Sequence, residues 1–207
     1  MNADPIQPTE AVRDEAGFAG QDSAAVGRDD TMFRWPARAL HWLMAAMILA
    51  MLFVGAGMVA SVSERHAWLL ALHKPLGIAI LALAALRLAL RLRHRPPPLP
   101  RDLGAAQRLA AHASHWLLYA LMLAMPLVGW AMLSAGGYPI ELGAGVRLPP
   151  IAPFDPTWFA ALRWLHRTLA YALFALVLAH LGAALYHGLI RRDGVLRSMT
   201  WRRSSSD

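Results

Sequence analysis

The chain contains no cysteine. That absence removes disulfides, thiolate nucleophiles, cysteine-ligated iron–sulfur clusters and covalent cofactor attachment through a Cys-x-x-Cys-His motif. Acidic residues are few, and seven of the thirteen fall in the first thirty positions. Lysine occurs once, at Lys74. Charged residues make up 16% and hydrophobic residues 57%, whereas an average globular chain carries about 25% charged residues. A soluble fold of 207 residues could not bury that much apolar surface, so the composition predicts a membrane protein. The net charge of +7 would suit nucleic acid. The arginines, however, flank apolar runs and form no basic face, so membrane lipid is the expected partner and nucleic acid is not.

Four apolar runs organise the chain, at residues 40–60, 68–90, 114–135 and 165–190, and none contains Asp or Glu. Each is long enough, at about 1.5 Å per residue, to cross a hydrocarbon core of about 30 Å. Pro126 is expected to kink the third, with neighbouring groups satisfying the freed carbonyl. Arg91, Arg93, Arg95, Arg101 and Arg108 crowd the second connection, and Arg191, Arg192, Arg197, Arg202 and Arg203 the C-terminal segment. The positive-inside rule then places both termini and the proline-rich loop at 96–98 in the cytoplasm. The predicted fold is an all-α integral membrane protein of the bacterial inner membrane. It is a four-transmembrane-helix up-and-down bundle, N-in and C-in. Residues 1–30 read as a disordered acidic tail, 31–200 as the membrane domain and 201–207 as a basic, polar tail. Trp158, Phe159 and Trp164 read as an interfacial aromatic belt.

Nine histidines in such a chain need a reason, because ionisable groups in a bilayer are costly and usually functional. His41 opens span one on the inner side, and His73 begins span two on the outer side. His166 opens span four from outside, and His180 follows fourteen residues further in. At 100° per residue, those two lie within about 40° of one face and about 21 Å apart along the axis. Imidazoles facing each other at one depth make an axial pair for haem iron. The expected pairs are His41 with His180 for an inner haem and His73 with His166 for an outer one. Without cysteine both would be non-covalent haem b. Gly55, Gly57, Gly77, Gly129 and Gly182 would admit close helix packing or a porphyrin plane. A metal transporter is a rival reading, but it would favour clustered midplane ligands with carboxylates.

The segments Ala39-Leu40-His41-Trp42, Leu72-His73-Lys74-Pro75-Leu76-Gly77, Ser114-His115-Trp116 and Trp164-Leu165-His166-Arg167, with His180 followed by His187, resemble the bacterial cytochrome b561 family. The resemblance covers about residues 32–200. It implies a four-helix cytochrome with two haem b groups that exchanges electrons with quinone. The superoxide oxidase-like branch further implies electrons taken from superoxide outside and passed to ubiquinone. The family's relation to the cytochrome b subunits of hydrogenases and formate dehydrogenase implies the alternative, a subunit fed by a partner redox protein.

The family's quinone histidines carry over to His115 and His187. By helical arithmetic, His187 would lie about 20° off the face of His180 and about 10 Å nearer the cytoplasm. Lys74 and Arg167 directly follow the outer pair, where a cation could hold haem propionates or draw in superoxide.

Overall fold

The computed structural model describes residues 35–93, 104–143 and 145–200. The acidic 1–30 stretch, the prolines at 96–98 and the 201–207 tail lie outside the described residues. Four long helices account for most of the remainder: α1 (Trp35–Val59), α2 (Glu64–Arg93), α3 (Ala105–Ala135) and α4 (Pro156–Leu185). All four are long and apolar enough to cross a membrane. Each starts before its apolar run, because a helix satisfies its own backbone and so remains the favoured form through the headgroup layer.

Local chemistry fixes the ends. Asp155 caps α4, its Oδ1 accepting from the N–H groups of Thr157 at 2.7 Å and Trp158 at 3.0 Å, with Pro156 at the first helical position. α3 stops at Gly136, where an added Cβ would stand 2.7 Å from the Tyr138 ring and 2.8 Å from Phe159. Only glycine lets the chain turn there. Pro126 sits inside α3 and Pro75 inside α2, and both helices continue through them. The α3–α4 connection is irregular but tied. Glu141 and Arg147 form an isolated antiparallel bridge and an ion pair at 2.8 Å.

The helices pack in sequence order: α1 on α2, α2 on α3 and α3 on α4. Their shared core is Leu40, Met44 and Ile48 of α1, Ile80 and Ala84 of α2, Tyr119, Leu121 and Met122 of α3 and Leu173 of α4. The four-residue spacing on α1 and α2 is one helical stripe. Most other large apolar side chains face outward, Phe53 with 78% exposure among them. Lipid is as good a neighbour for them as protein, so a thin core suffices.

The chain does not end with α4. A π-turn follows (Tyr186–Arg191), then Arg192 and Gly194 in left-handed conformation and a short helix, α5 (Val195–Met199). This hook folds back to the start of the bundle. The indole Nε1 of Trp42 donates to the Met199 carbonyl at 2.8 Å, and Arg38 Nη1 donates to Thr200 at 3.1 Å. Gly188 makes the hook possible, since a Cβ there would stand 2.5 Å from Leu196.

Candidate functional site

Helix α4 meets a histidine of another helix at two levels. His180 lies beside His41 of α1, ring centres 6.3 Å apart and planes inclined by 71°. His166 lies beside His73 of α2, ring centres 6.1 Å apart and planes inclined by 70°. The fourteen-residue spacing on α4 therefore presents both imidazoles to the bundle interior, as the wheel arithmetic requires. His115 of α3 adds a third ring at the His180 level, 5.6 Å away.

The helices bridged by these pairs are not the ones that pack closely. α4 packs on α3, and α1 on α2, whereas neither α1 with α4 nor α2 with α4 forms a close-packed pair among the described residues. Each imidazole pair thus reaches across a separation between backbones. At the outer pair, Nδ1 of His73 is buried without a hydrogen-bond partner among the described residues, while His166 has the Met125 backbone beside it.

Gly129 of α3 faces the outer pair. A Cβ there would stand 3.0 Å from His166 Cε1 and 3.3 Å from its Nδ1. The other glycines divide. Gly57 lies against Leu69 and Gly77 against Met51, as helix-packing positions, while Gly55 and Gly182 have open space beside them.

The remaining candidates are placed as follows. Lys74 reaches outward, its Nζ 3.5 Å from the Pro139 carbonyl, and Arg167 is exposed beside His166. His187 pairs with Asp193, Nδ1 to Oδ2 at 2.5 Å, and the structure gives it no contact with His115. The wheel arithmetic that put it under His180 assumes an α-helix, and that geometry ends at Leu185 where the π-turn begins. Asp193 also accepts from Arg191 Nε at 3.3 Å and from the Val195 N–H at 3.2 Å. Burial pushes the Asp193 carboxyl up, but the His187 hydrogen bond, the Val195 N–H and the nearby cations outweigh it and hold the group below its ordinary value. The contribution of the Asp193 carboxylate is therefore fully present above the usual carboxylate range and is lost as pH falls through that depressed value.

Comparison with known proteins decides the family. Residues 32–202 match the family model for prokaryotic cytochrome b561. The chain belongs to the prokaryotic cytochrome b561 family. It is 32% identical to cytochrome b561 homolog 2 of Escherichia coli K12 over 171 residues, covering 81% of this chain and 90% of that protein. It is 27% identical to a probable superoxide oxidase of Yersinia pestis over 162 residues, covering 77% and 90%. Cytochrome b561 homolog 1 of Escherichia coli K12 matches at 32% over 131 residues, covering 63% and 74%. The chain is accordingly a multi-pass bacterial inner-membrane cytochrome b that binds haem b and transfers electrons.

The residues fit that cofactor. An imidazole nitrogen lies about 2 Å from a first-row transition metal and about 1 Å from its own ring centre, so rings on opposite faces of one ion have centres about 6 Å apart. The 6.3 Å and 6.1 Å pairs meet this distance, and the loosely apposed helices they bridge leave a place for a flat macrocycle. If Gly129 is kept small for His166, Gly129→Val should remove or distort one haem, so that total haem falls by up to half. A pyridine haemochrome assay checks it, and a full complement with an unchanged reduced spectrum would count against the contact.

Two features escaped the sequence reading. Arg87, near the end of the second apolar run, donates from Nη1 to the Ala37 carbonyl at 2.8 Å, one turn before His41. Its signal was there, since it follows His73 by the same fourteen residues that separate His166 from His180. The Asp193 clasp gives no comparable signal, because Asp193 lies beyond the last apolar run and reaches His187 only across the π-turn.

Proposed function

We propose that this cytochrome carries two haems b, takes electrons from superoxide at the periplasmic face and delivers them to ubiquinone at the cytoplasmic face. The observation that carries the two-centre reading is the pair of imidazole pairs, one at each level of α4, each reaching a helix on which α4 does not closely pack. When bound, haem supplies a one-electron carrier at each level. The chain supplies His73 and His166 as outer ligands and His41 and His180 as inner ligands. His41 is favoured over His115 because α3 packs on α4 and leaves no gap between His115 and His180 for a macrocycle.

Held by two imidazoles, each haem would supply electron transfer and would not bind dioxygen species at iron. Superoxide is a small anion, and the cations of Lys74 and Arg167 beside the outer pair favour its approach. The likeness to a probable superoxide oxidase supports the same donor. Two superoxide ions each lose one electron to give dioxygen, and those two electrons with two protons convert ubiquinone to ubiquinol. His115, at the inner level beside His180, is positioned to hydrogen-bond a quinone oxygen, and His187 with its Asp193 partner to pass a proton. The arginine-rich second connection and C-terminal segment put both termini in the cytoplasm.

The test begins with the detergent-purified chain. A dithionite-reduced minus oxidised spectrum and a haemochrome assay should give about two haems b per chain. Enzymatically generated superoxide should then reduce the haem and yield ubiquinol, and superoxide dismutase should abolish both. Haem that stays oxidised under a superoxide flux would transfer the donor role to a partner redox protein.

A further inference from the structure

We propose that Arg87 directs electrons inward by holding a fixed positive charge against the inner histidine cluster. This rests on the two-haem reading above. Arg87 stands on α2 at the inner level, fourteen residues past His73, and is half-buried. Its guanidinium is anchored, donating to the Ala37 carbonyl at 2.8 Å, with buried Tyr119 of α3 as a second partner. Ala37 precedes His41 by one turn of α1, and His41 and His115 both adjoin His180, at 6.3 Å and 5.6 Å between ring centres, so the guanidinium is anchored beside this cluster. No Asp or Glu occurs in any of the four apolar runs to neutralise it. One turn further on, Arg91 lies over the rings of Trp116 at 5.5 Å and Tyr119 at 5.4 Å, which adds a second cation on the same side.

Among the described residues the outer pair has no equivalent. Arg167 is exposed, and Lys74 points away to the outer loop, where water and ions screen its charge. Reduction removes one positive charge from the iron centre. A fixed cation nearby therefore disfavours the oxidised state and raises the potential, by more in a low-dielectric interior than at a wet surface. The charge pattern makes the inner centre the better electron acceptor.

A redox titration of the haem-loaded chain tests this. Two waves are expected, and the wave missing in His41→Ala should be the one of higher potential. In Arg87→Gln that wave should move down until its reduced-to-oxidised ratio at fixed ambient potential falls about tenfold, where a tenfold change is 59 mV for one electron. The outer wave should stay in place, and Arg87→Lys should recover most of the shift. An inner wave lying below the outer one in the unmodified chain would overturn the proposal, whatever the variants do. So would an unmoved inner wave in Arg87→Gln, or equal movement of both. If Arg87→Gln loses the inner haem, the native order of the waves and the Arg87→Lys titration still decide. A single wave with one haem per chain would instead sink the two-haem reading itself.

Discussion

His41→Ala is expected to leave the purified chain with about half its haem b, the retained half having the spectrum of the outer centre. The argument is geometric. His180 has two imidazole neighbours, His41 at 6.3 Å and His115 at 5.6 Å, but only the helix carrying His41 stands apart from α4. Removing His41 takes away one axial ligand on the side where a macrocycle fits. His115 sits on the close-packed α3 and cannot replace it without opening that interface. His115→Ala should accordingly keep both haems and impair only ubiquinone reduction. Electron delivery from superoxide to ubiquinone should stop in His41→Ala, while superoxide still reduces the remaining haem. If His115→Ala loses the haem and His41→Ala keeps it, the inner ligands have been assigned the wrong way round.

Reversing charge at the outer face should produce the second large effect. In Lys74→Glu with Arg167→Glu, the second-order rate constant for reduction by superoxide is expected to fall tenfold or more at low ionic strength, in the range of electrostatic steering. The gap to the unmodified protein should narrow as salt is added, because the Debye length shrinks to about 10 Å at 0.1 M. Reduction by a neutral quinol should change little. Stopped-flow traces at several salt concentrations, with haem content measured alongside, separate the outcomes. A rate deficit that ignores salt would mean the two cations serve the haem itself, by holding propionates. Equal rates in both proteins would remove them from the superoxide path.

Much of this architecture was legible in the sequence, and the reason is the bilayer. A spanning helix must satisfy its own backbone, so four apolar runs become four helices with little choice. Regular helices also make angular arithmetic reliable, which is why His166 and His180 both face inward as their spacing requires. The arithmetic loses its basis where regularity ends. The π-turn at Tyr186 lies just before His187, and nothing in the composition of Tyr186–Arg191 announces a change in residues per turn. Asp193 lies beyond the last apolar run, and its grip on His187 depends on a change of helical geometry that the residues there do not signal. Arg87 lies near the end of the second apolar run, where arginines commonly anchor helices in the headgroup layer. Its anchorage to the Ala37 carbonyl, one turn before His41 on another helix, is set by packing. The presence of His115 beside His180 is likewise set by how α3 leans on α4.

The hook after α4 bears on how the protein is made. Met199 and Thr200 are held by Trp42 and Arg38, so the segment after α4 closes on the first turns of α1. Synthesis runs from the N-terminus at about 5–20 residues per second, and all four spans are complete before the hook leaves the ribosome. The hook is thus the last of the described segments to emerge, and its two hydrogen bonds tie the chain beyond α4 back to α1, the helix that carries His41.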